Sequence, residues 1–335
     1  GCMVQQEGMV NTIRSSAPHV NLIFGTHNLH ELPRFIYEIY TTGEKQIEVL
    51  EKETGVHEGL PRHREYPFKA LVNIIYGCNN FCTYCIVPYV RGRERSRRME
   101  DILQEVRGLV ADGVVEITLL GQNVNSYGLD LKDGTNFAGL LQELDKIEGL
   151  RRIRYMTSHP KDVNEELVKV IAASQKVCHH FHLPIQSGST AILKQMNRKY
   201  SKEDYLAMVE LIRRYVPDAT ITTDIIVGFP GETEEDFQET LDVVRTVKFD
   251  NAFSFIYSKR TGTPAAKFAD AVTLEEKKER LQRLNDTLAE ISKGINDHLQ
   301  DTDVEVLVEG PSKNNPEMLC GRTDGNKTVI FLGSP

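Results

Sequence analysis

The sequence of 335 residues contains no tryptophan and only six cysteines. No run in it approaches the length of apolar chain that crosses a bilayer, about 20 residues. Its first residues lack the basic and then apolar layout of a secretory signal. Acidic residues outnumber basic ones, 48 to 40, so the chain as a whole does not attract nucleic acid by net charge. These absences exclude a membrane-spanning protein and a small disulfide-rich secreted one, and they predict a cytoplasmic protein without a membrane partner.

Apolar, β-branched runs recur along the middle of the chain and alternate with helical patterns. The runs lie at 71–76, 114–120, 150–156, 177–183, 220–227 and 252–257. Between them, Asn164, Ser201 and Thr233 stand where helix N-caps belong. Six strand-then-helix units predict an α/β fold with a parallel sheet, and their number favours a partial (β/α)6 barrel. A doubly wound sheet is the alternative, and both folds gather their chemistry at the carboxyl ends of the strands.

Polar side chains follow several of these predicted strands directly. Gln122 and Asn123 follow the second strand, Ser158 the third and Gln186 the fourth. Ordinary turns account for the neighbouring glycines and prolines but not for the amides. We therefore expect a shared ligand cavity at this edge of the sheet.

Three of the six cysteines crowd into one loop after the first predicted strand. Cys78, Cys82 and Cys85 stand four and three positions apart, with Phe81 and Tyr84 between them. Thiols this close along the chain do not bridge one another easily, but they can converge on a metal centre. Three thiolates can hold a [4Fe–4S] cluster and leave one iron open to substrate. Zinc, which would need a fourth ligand, and chance clustering are the alternatives.

A short basic stretch follows the cysteine loop. It holds five arginines against one glutamate, and the arginines are Arg91, Arg93, Arg95, Arg97 and Arg98. Four of them alternate, which in an extended loop places their guanidinium groups on one side. Such a stripe suits RNA phosphates. The alternatives are a solvated run of charges and pairing with Glu94 or other nearby acids.

The pattern Cys78-x-x-x-Cys82-x-x-Cys85 resembles the signature of radical S-adenosylmethionine (SAM) enzymes. The surrounding sequence resembles their methylthiotransferase branch, and within it the tRNA 2-methylthio-N6-isopentenyladenosine synthases. The motifs that carry this resemblance are RGRERSR (91–97), LLGQNVNSYG (119–128), LPIQSGS (183–189), TTDIIVGFPGET (222–233) and YSKRTGTP (257–264). They follow one another in order along nearly the whole chain.

The resemblance implies three parts. Residues 1–62 would be the C-terminal remnant of the family's N-terminal domain, and residues 63–300 the radical SAM core, a partial (β/α)6 barrel. Residues 301–335 would begin a TRAM-like RNA-binding β-barrel. Because the sequence begins with Gly1 and not with methionine, we also expect it to start inside a longer gene product.

The resemblance also implies SAM and two [4Fe–4S] clusters. Cys78, Cys82 and Cys85 would hold the cluster that cleaves SAM to a 5′-deoxyadenosyl radical. Cys2 would be one of three ligands of an auxiliary cluster that delivers the methylthio group, and so both a metal ligand and catalytic. The residues implied to contact SAM are Tyr84, Gln122, Asn123, Ser158, Gln186 and Ile226. Turn, capping and core-packing roles are the alternatives for these six.

The implied reaction converts N6-isopentenyladenosine at position 37 of tRNA to its 2-methylthio derivative. The implied partners are the tRNA anticodon stem-loop and an electron donor such as flavodoxin or ferredoxin. Two alternatives remain open. One is a methylthiotransferase acting on threonylcarbamoyl-adenosine in tRNA or on a ribosomal protein, and the other is a non-catalytic iron–sulfur RNA-binding protein.

Overall fold

The computed structural model describes residues 1–50, 55–60 and 63–333. The N-terminal segment contains a short 3-10 turn at Cys2–Gln5, then α1 (Met9–Ser16), β1 (Leu22–Phe24), α2 (Leu32–Thr42) and β2 (Gln46–Glu48). β1 and β2 pair in parallel. The proposed domain boundary at residue 62 lies outside the described residues.

The central part alternates strands and helices. Its strands are β3 (Lys69–Asn73), β4 (Ile75–Tyr76), β5 (Arg95–Ser96), β6 (Glu116–Leu120), β7 (Arg152–Tyr155), β8 (His180–His182), β9 (Thr220–Val227) and β10 (Asn251–Ile256). Its helices are α3 (Val87–Arg91), α4 (Met99–Ala111), α5 (Phe137–Asp145), α6 (Glu165–Ala173), α7 (Thr190–Gln195), α8 (Lys202–Tyr215), α9 (Glu234–Val247) and α10 (Leu274–Asp297).

Six of these strands form one parallel, open barrel. β3, β6 and β7 pair in that order, as do β8, β9 and β10, and a parallel bridge between Ile153 and Val177 joins the two sets. Strand order therefore follows chain order without the reversal that a doubly wound sheet requires. Among the described residues, β3 and β10 do not pair with each other. The predicted partial barrel is confirmed.

The helices begin where the sequence predicts. Asn164 caps α6 by accepting a hydrogen bond from the Leu167 amide at 2.8 Å. Ser201 and Thr233 open α8 and α9 with capping boxes. The apolar faces of these helices bury the outer face of the barrel. Across residues 1–50, 55–60 and 63–333, no helix has the length and apolar character needed to cross a membrane.

The C-terminal residues form a small antiparallel sheet of β11 (Val306–Pro311), β12 (Leu319–Thr323) and β13 (Thr328–Phe331). Its described strands form an open sheet, and the TRAM-like character of residues 301–335 stays a prediction. The turn after β12 sits at the amino ends of the barrel strands. There Arg154 donates to the carbonyl oxygens of Thr323 and Asp324 at 2.7 and 2.8 Å, and the His179 amide donates to the Asp324 carboxylate at 2.8 Å.

Candidate active site at the carboxyl edge of the barrel

The cysteine loop, residues 77–86, leaves the carboxyl end of β4. It can turn there because Gly77 adopts a positive φ of 75°, and a Cβ on it would lie 2.0 Å from the Arg93 carbonyl oxygen. The Cys78 amide donates to the Gly92 carbonyl oxygen at 3.2 Å. These contacts tie the first cysteine to the start of the basic stretch.

The far side of the cysteine loop is held by the segment after α7. The Thr83 amide donates to the Met196 carbonyl oxygen at 3.0 Å, and the Asn197 side-chain amide donates to the Phe81 carbonyl oxygen at 2.9 Å. Phe81 itself takes a left-handed φ of 47°, a conformation that non-glycine residues rarely adopt. The loop is thus fixed from both sides rather than left to solvent.

All three thiols of the loop are free, with Cys78 and Cys82 buried and Cys85 half-buried. Burial raises the pKa of Cys78 to about 11, and the neighbouring Cys82 and Cys85 thiols add to the shift. Burial also raises the pKa of Cys85, and the nearby Cys82 thiol adds to that shift. Cys78 and Cys85 therefore keep their protons at neutral pH in the metal-free chain, and an iron ion must displace them.

The donor set fits a cluster better than a single ion. No three His, Cys, Asp or Glu side chains surround one point in the described part of the chain, as a zinc ion would require. In a [4Fe–4S] cluster each thiolate binds a different iron, so the three sulfurs need not meet at one point. The Asn80 side-chain amide and the Arg198 guanidinium each lie 3.5 Å from a loop sulfur, that of Cys78 and that of Cys82 respectively. Both groups can donate a hydrogen bond to a thiolate.

Arg198 is a site residue that sequence reasoning missed. It is buried, and its guanidinium donates to the Tyr200 hydroxyl at 2.7 Å and to the Pro184 carbonyl oxygen at 2.6 Å. Among the described residues no carboxylate pairs with it. Burying a cation without a counter-charge costs free energy, so the surroundings of the Arg198 guanidinium favour a bound anion. A single arginine in a loop carries no signal in the sequence that could have revealed this.

Two of the predicted SAM contacts, Asn123 and Ser158, are engaged by the protein itself. The Asn123 side chain accepts from the His159 amide at 2.9 Å and donates to the Asp162 carboxylate at 2.6 Å. The Ser158 hydroxyl donates to the Asn125 side-chain oxygen at 2.9 Å. These contacts join the loops that follow β6 and β7. The Asn125 amide nitrogen, in contrast, is buried without a hydrogen-bond partner among the described residues, so it is an open donor at this edge.

Other predicted contacts come together around an apolar surface. Tyr84 and Ile226 both pack on a buried cluster consisting of Ile192, Met196, Phe229, Tyr257 and Ala265. Gln186 adopts a left-handed φ of 72°, and its carbonyl oxygen accepts from the Ile226 amide at 2.9 Å. Gln122 is half-buried just after β6. Tyr84 in the cysteine loop and Ile226 on β9 are the two partly buried residues of this cluster, so an apolar contact joins the loop to β9.

Cys2 lies beside the helix that follows the cysteine loop. Its thiol sulfur is 3.1 Å from Nε of Arg91 in α3, and the Thr26 hydroxyl donates to the Val90 carbonyl oxygen at 2.7 Å. The fold therefore brings a fourth cysteine, remote in sequence, to the same side of the barrel.

The predicted arginine stripe is not formed, because the stretch is not extended along its whole length. Arg91 ends α3. Arg97 is buried, donates to Glu58 and to the Asn73 carbonyl oxygen at 2.7 Å each, and pairs with Glu105 at 2.7 Å. A phosphate cannot reach the Arg97 guanidinium, so its role is to join the segment around Glu58 to β3 and α4.

The remaining arginines of the stretch stay near the surface. Arg91, Arg93 and Arg98 are exposed, and none of these three forms a salt bridge in the described residues. Arg93 lies over the Phe81 ring, 4.4 Å from its centroid. Arg95 is half-buried and donates to the Arg91 and Arg93 carbonyl oxygens at 3.3 and 3.0 Å. Positive charge thus surrounds the mouth of the cysteine loop.

A cavity of about 1600 Å³ follows the inner faces of β3, β6 and β7. It runs from Asn73 and Leu120 at the carboxyl ends to Lys69 and Arg154 at the amino ends. Pockets for small molecules usually enclose roughly 300 to 1,000 Å³. The cavity also reaches the N-terminal segment at Thr26 and Glu58 and helix α4 at Glu105, so its volume exceeds that of the barrel lumen.

The site and the fold together define the class of protein. The model of the Radical SAM superfamily matches residues 72–244, which include the cysteine loop and most of the barrel, so the chain is a radical SAM protein. Its fold is similar to that of the radical SAM methyltransferase TsrM from Kitasatospora setae, with a TM-score of 0.51 at 19% identity over 63% of this chain and 42% of that one. It is also similar to coproporphyrinogen III oxidase from Escherichia coli, with a TM-score of 0.50 at 16% identity over 80% of this chain and 72% of that one.

Relatives identified by sequence define a narrower family within the radical SAM superfamily. The tRNA-2-methylthio-N(6)-dimethylallyladenosine synthase of Acetivibrio thermocellus is 57% identical over 331 residues, which are 99% of this chain and 69% of the relative. The same enzyme of Moorella thermoacetica is 57% identical over 99% of this chain and 75% of the relative, and that of Desulforamulus reducens is 55% identical over 100% and 73%. The chain belongs to the tRNA-2-methylthio-N(6)-dimethylallyladenosine synthase family, which confirms the resemblance seen in its motifs.

Proposed function

We propose that this chain makes 2-methylthio-N6-dimethylallyladenosine in tRNA, by transfer of a methylthio group to N6-dimethylallyladenosine (also called N6-isopentenyladenosine) at position 37. The observation that carries the proposal is the three-cysteine loop at the carboxyl edge of the open barrel, in a chain 57% identical to a synthase of this product. The alternative that acts on threonylcarbamoyl-adenosine or a ribosomal protein has no such support.

Cys78, Cys82 and Cys85 would hold a [4Fe–4S] cluster, and one iron without a protein ligand would be left for SAM. When bound, this pair supplies the radical chemistry of the superfamily. The Arg198 guanidinium and the Asn80 amide would stabilise thiolate charge on Cys82 and Cys78.

The apolar surface under Tyr84 and Ile226 would hold the adenine of SAM. The buried Asn125 amide, with Gln122 after β6 and Gln186 after β8, would offer polar groups to the rest of the cofactor. Asn123 and Ser158 would act by fixing Asn125 and the loop around His159. Burial lowers the pKa of His159 to about 2, and the nearby Arg198 charge adds to that shift, so His159 stays neutral in this role.

Cys2 would be one ligand of a second, auxiliary [4Fe–4S] cluster. This cluster would deliver the methylthio group that is transferred. The support for Cys2 as a ligand is its position, because it touches Arg91 on the helix that follows the first cluster's loop. The Arg91 guanidinium would donate to the Cys2 thiolate and hold the auxiliary site against α3.

The exposed arginines beside the cysteine loop, Arg91, Arg93 and Arg98, with half-buried Arg95, would contact phosphates of the tRNA anticodon stem-loop. Residues 301–335 would be the start of a TRAM-like RNA-binding module, anchored at the opposite end of the barrel. Flavodoxin or ferredoxin would supply the electron. The cytoplasm is the matching compartment, since all six cysteines are free.

The proposal is tested with the anaerobically reconstituted chain, SAM, a reductant and tRNA bearing N6-dimethylallyladenosine. We expect 5′-deoxyadenosine, and the 2-methylthio nucleoside once the auxiliary cluster is complete. Cys320→Ala is the matched control, because Cys320 lies in the C-terminal sheet and should change neither product. A reconstituted chain that binds the cluster and SAM yet forms no 5′-deoxyadenosine would contradict the proposal.

A further inference from the structure

Four large apolar side chains are exposed along the inside of the barrel. Leu71 on β3, Met156 after β7, and Phe253 and Phe255 on β10 are 62%, 43%, 56% and 52% exposed. Leu71 and Met156 line the large cavity. Phe253 and Phe255 stand two positions apart on one strand, and neighbouring exposed apolar groups of this kind mark a surface that something covers.

The register of β10 shows that its two phenylalanines face inward. Ala252 and Ile256 pack against the hydrophobic core on the helix side, and alternate residues of a strand point to opposite faces. Phe253 pairs with Asp224 and Phe255 with Ile226 on β9. Phe255 therefore stands directly beside the residue that we place against the adenine of SAM, so the apolar strip continues from the cofactor site.

The charge beside this strip is negative. Asp224 is only partly buried, and the one ion-pair partner it has in the described residues is Nε2 of His182 at 3.5 Å. His182 in turn is part of the same wall, with its ring centroid 6.3 Å from that of Phe253. The cations lower in the cavity, Lys69 and Arg154, are paired with Glu116 at 3.4 and 3.0 Å.

An occupant of this strip must therefore be apolar and must lack negative charge. A phosphate or a carboxylate would meet Asp224, whereas a hydrocarbon group would bury the two phenylalanine rings at no electrostatic cost. The product named for the relatives carries such a group, a small branched dimethylallyl substituent on N6 of adenosine. A threonylcarbamoyl substituent, in contrast, ends in a carboxylate.

We propose that Phe253 and Phe255, with Asp224 beside them, form the subsite that accepts the dimethylallyl group of the substrate and rejects an adenosine whose N6 substituent carries a carboxylate. The inference rests on the proposed function and adds to it the residues that read the substituent.

The experiment measures binding and not turnover. The cluster-loaded chain is titrated with three synthetic anticodon stem-loop RNAs that differ in one base, which is adenosine, N6-dimethylallyladenosine or N6-threonylcarbamoyladenosine. Filling an apolar pocket changes selectivity by about tenfold or more per small group. We expect at least about tenfold tighter binding of the dimethylallyl RNA than of either other RNA. Phe253→Ala combined with Phe255→Ala should bring the ratio between the dimethylallyl RNA and the unmodified RNA near one, whereas the threonylcarbamoyl RNA should still bind more weakly because Asp224 is kept.

Matched variants separate this subsite from a general defect. Tyr40→Ala removes an aromatic ring that is 87% exposed on α2, outside the barrel, and should keep the wild-type ratio. Phe255→Leu should keep part of the wild-type ratio of affinities, because leucine restores apolar volume. This single variant replaces the double variant in the test if the double variant does not fold. SAM affinity is measured in parallel.

Three results would overturn the inference: an unchanged ratio in a folded double variant, an equal loss of affinity for all three RNAs, or a loss confined to SAM. A wild-type chain that binds RNA with a ratio near one would overturn it as well, while leaving the proposed function intact. A wild-type chain that binds none of the RNAs would contradict both.

Discussion

Arg198→Met removes the buried cation beside Cys82 and keeps a side chain of similar length. In the metal-free chain, Arg198 has no carboxylate partner among the described residues, and its guanidinium lies 3.5 Å from the Cys82 sulfur. The Pro184 carbonyl oxygen remains within 3.2 Å of the Tyr200 hydroxyl after the change. The variant therefore removes a charge without leaving that carbonyl group stranded.

Arg198→Met is expected to leave the metal-free protein equally or more stable, and to lower the midpoint potential of the cluster in the loaded protein. Replacing buried charge by an apolar side chain is commonly neutral or stabilising by about 1–4 kcal/mol, so the metal-free variant should unfold at the same or a higher temperature. In the loaded protein the variant loses a charge-assisted hydrogen bond to a thiolate, worth about 1.5–3 kcal/mol. If roughly half of this free energy is the difference between the oxidised and the reduced cluster, the midpoint potential falls by about 30–65 mV. The conversion is 59 mV per tenfold change in the equilibrium constant of a one-electron reduction.

The assay is an EPR-monitored redox titration of the reduced cluster, together with thermal unfolding of the metal-free chain. Arg198→Lys keeps the charge but loses the planar fork, and it should fall between the wild type and Arg198→Met in potential. An unchanged potential in Arg198→Met, or a metal-free variant several degrees less stable than wild type, would refute the reasoning.

Four further predictions concern single residues. Cys82→Ala should abolish 5′-deoxyadenosine formation, since no other thiol of the loop can replace the Cys82 thiol. Normal formation of 5′-deoxyadenosine by this variant would contradict the cluster assignment. Cys2→Ala should keep SAM cleavage but yield no methylthiolated tRNA, whereas loss of both activities would point to a folding role. Arg93→Ala should weaken tRNA binding and lower the salt slope by about one unit, and an unchanged slope would contradict a phosphate contact. Arg97→Ala should instead lower the free energy of unfolding by about 1–3 kcal/mol, because the Asn73 carbonyl oxygen and the partly buried Glu105 lose the Arg97 guanidinium, and a stability like that of wild type would contradict the structural role of Arg97.

The features that could be predicted from the sequence are those written in local patterns. Strand periodicity predicted the six barrel strands, and for β9 the predicted 220–227 matches the observed Thr220–Val227. Residues such as Ser201 and Thr233 predicted where helices begin, because capping depends on neighbours three positions away. The spacing of Cys78, Cys82 and Cys85 is also a local pattern, and it predicted the radical SAM superfamily whose model matches residues 72–244.

The features that could not be predicted depend on contacts between remote segments. Arg97 reads as part of a basic run, but Glu58 and Glu105 capture it only once the chain is folded. Arg198 and Asn125 owe their importance to burial beside Cys82 and Ser158, which no local pattern encodes. The open C-terminal sheet was expected as part of a barrel, and its anchoring through Arg154 at the amino ends of the strands could not be foreseen.

Mass spectrometry of tRNA nucleosides from a strain that lacks this gene shows whether this chain makes the 2-methylthio derivative. We expect N6-dimethylallyladenosine to accumulate in that strain and its 2-methylthio derivative to disappear. The natural gene should restore the derivative, and the same gene with Cys82→Ala should not. Persistence of the 2-methylthio derivative in the deletion strain, or loss of a methylthio group from threonylcarbamoyl-adenosine instead, would contradict the account.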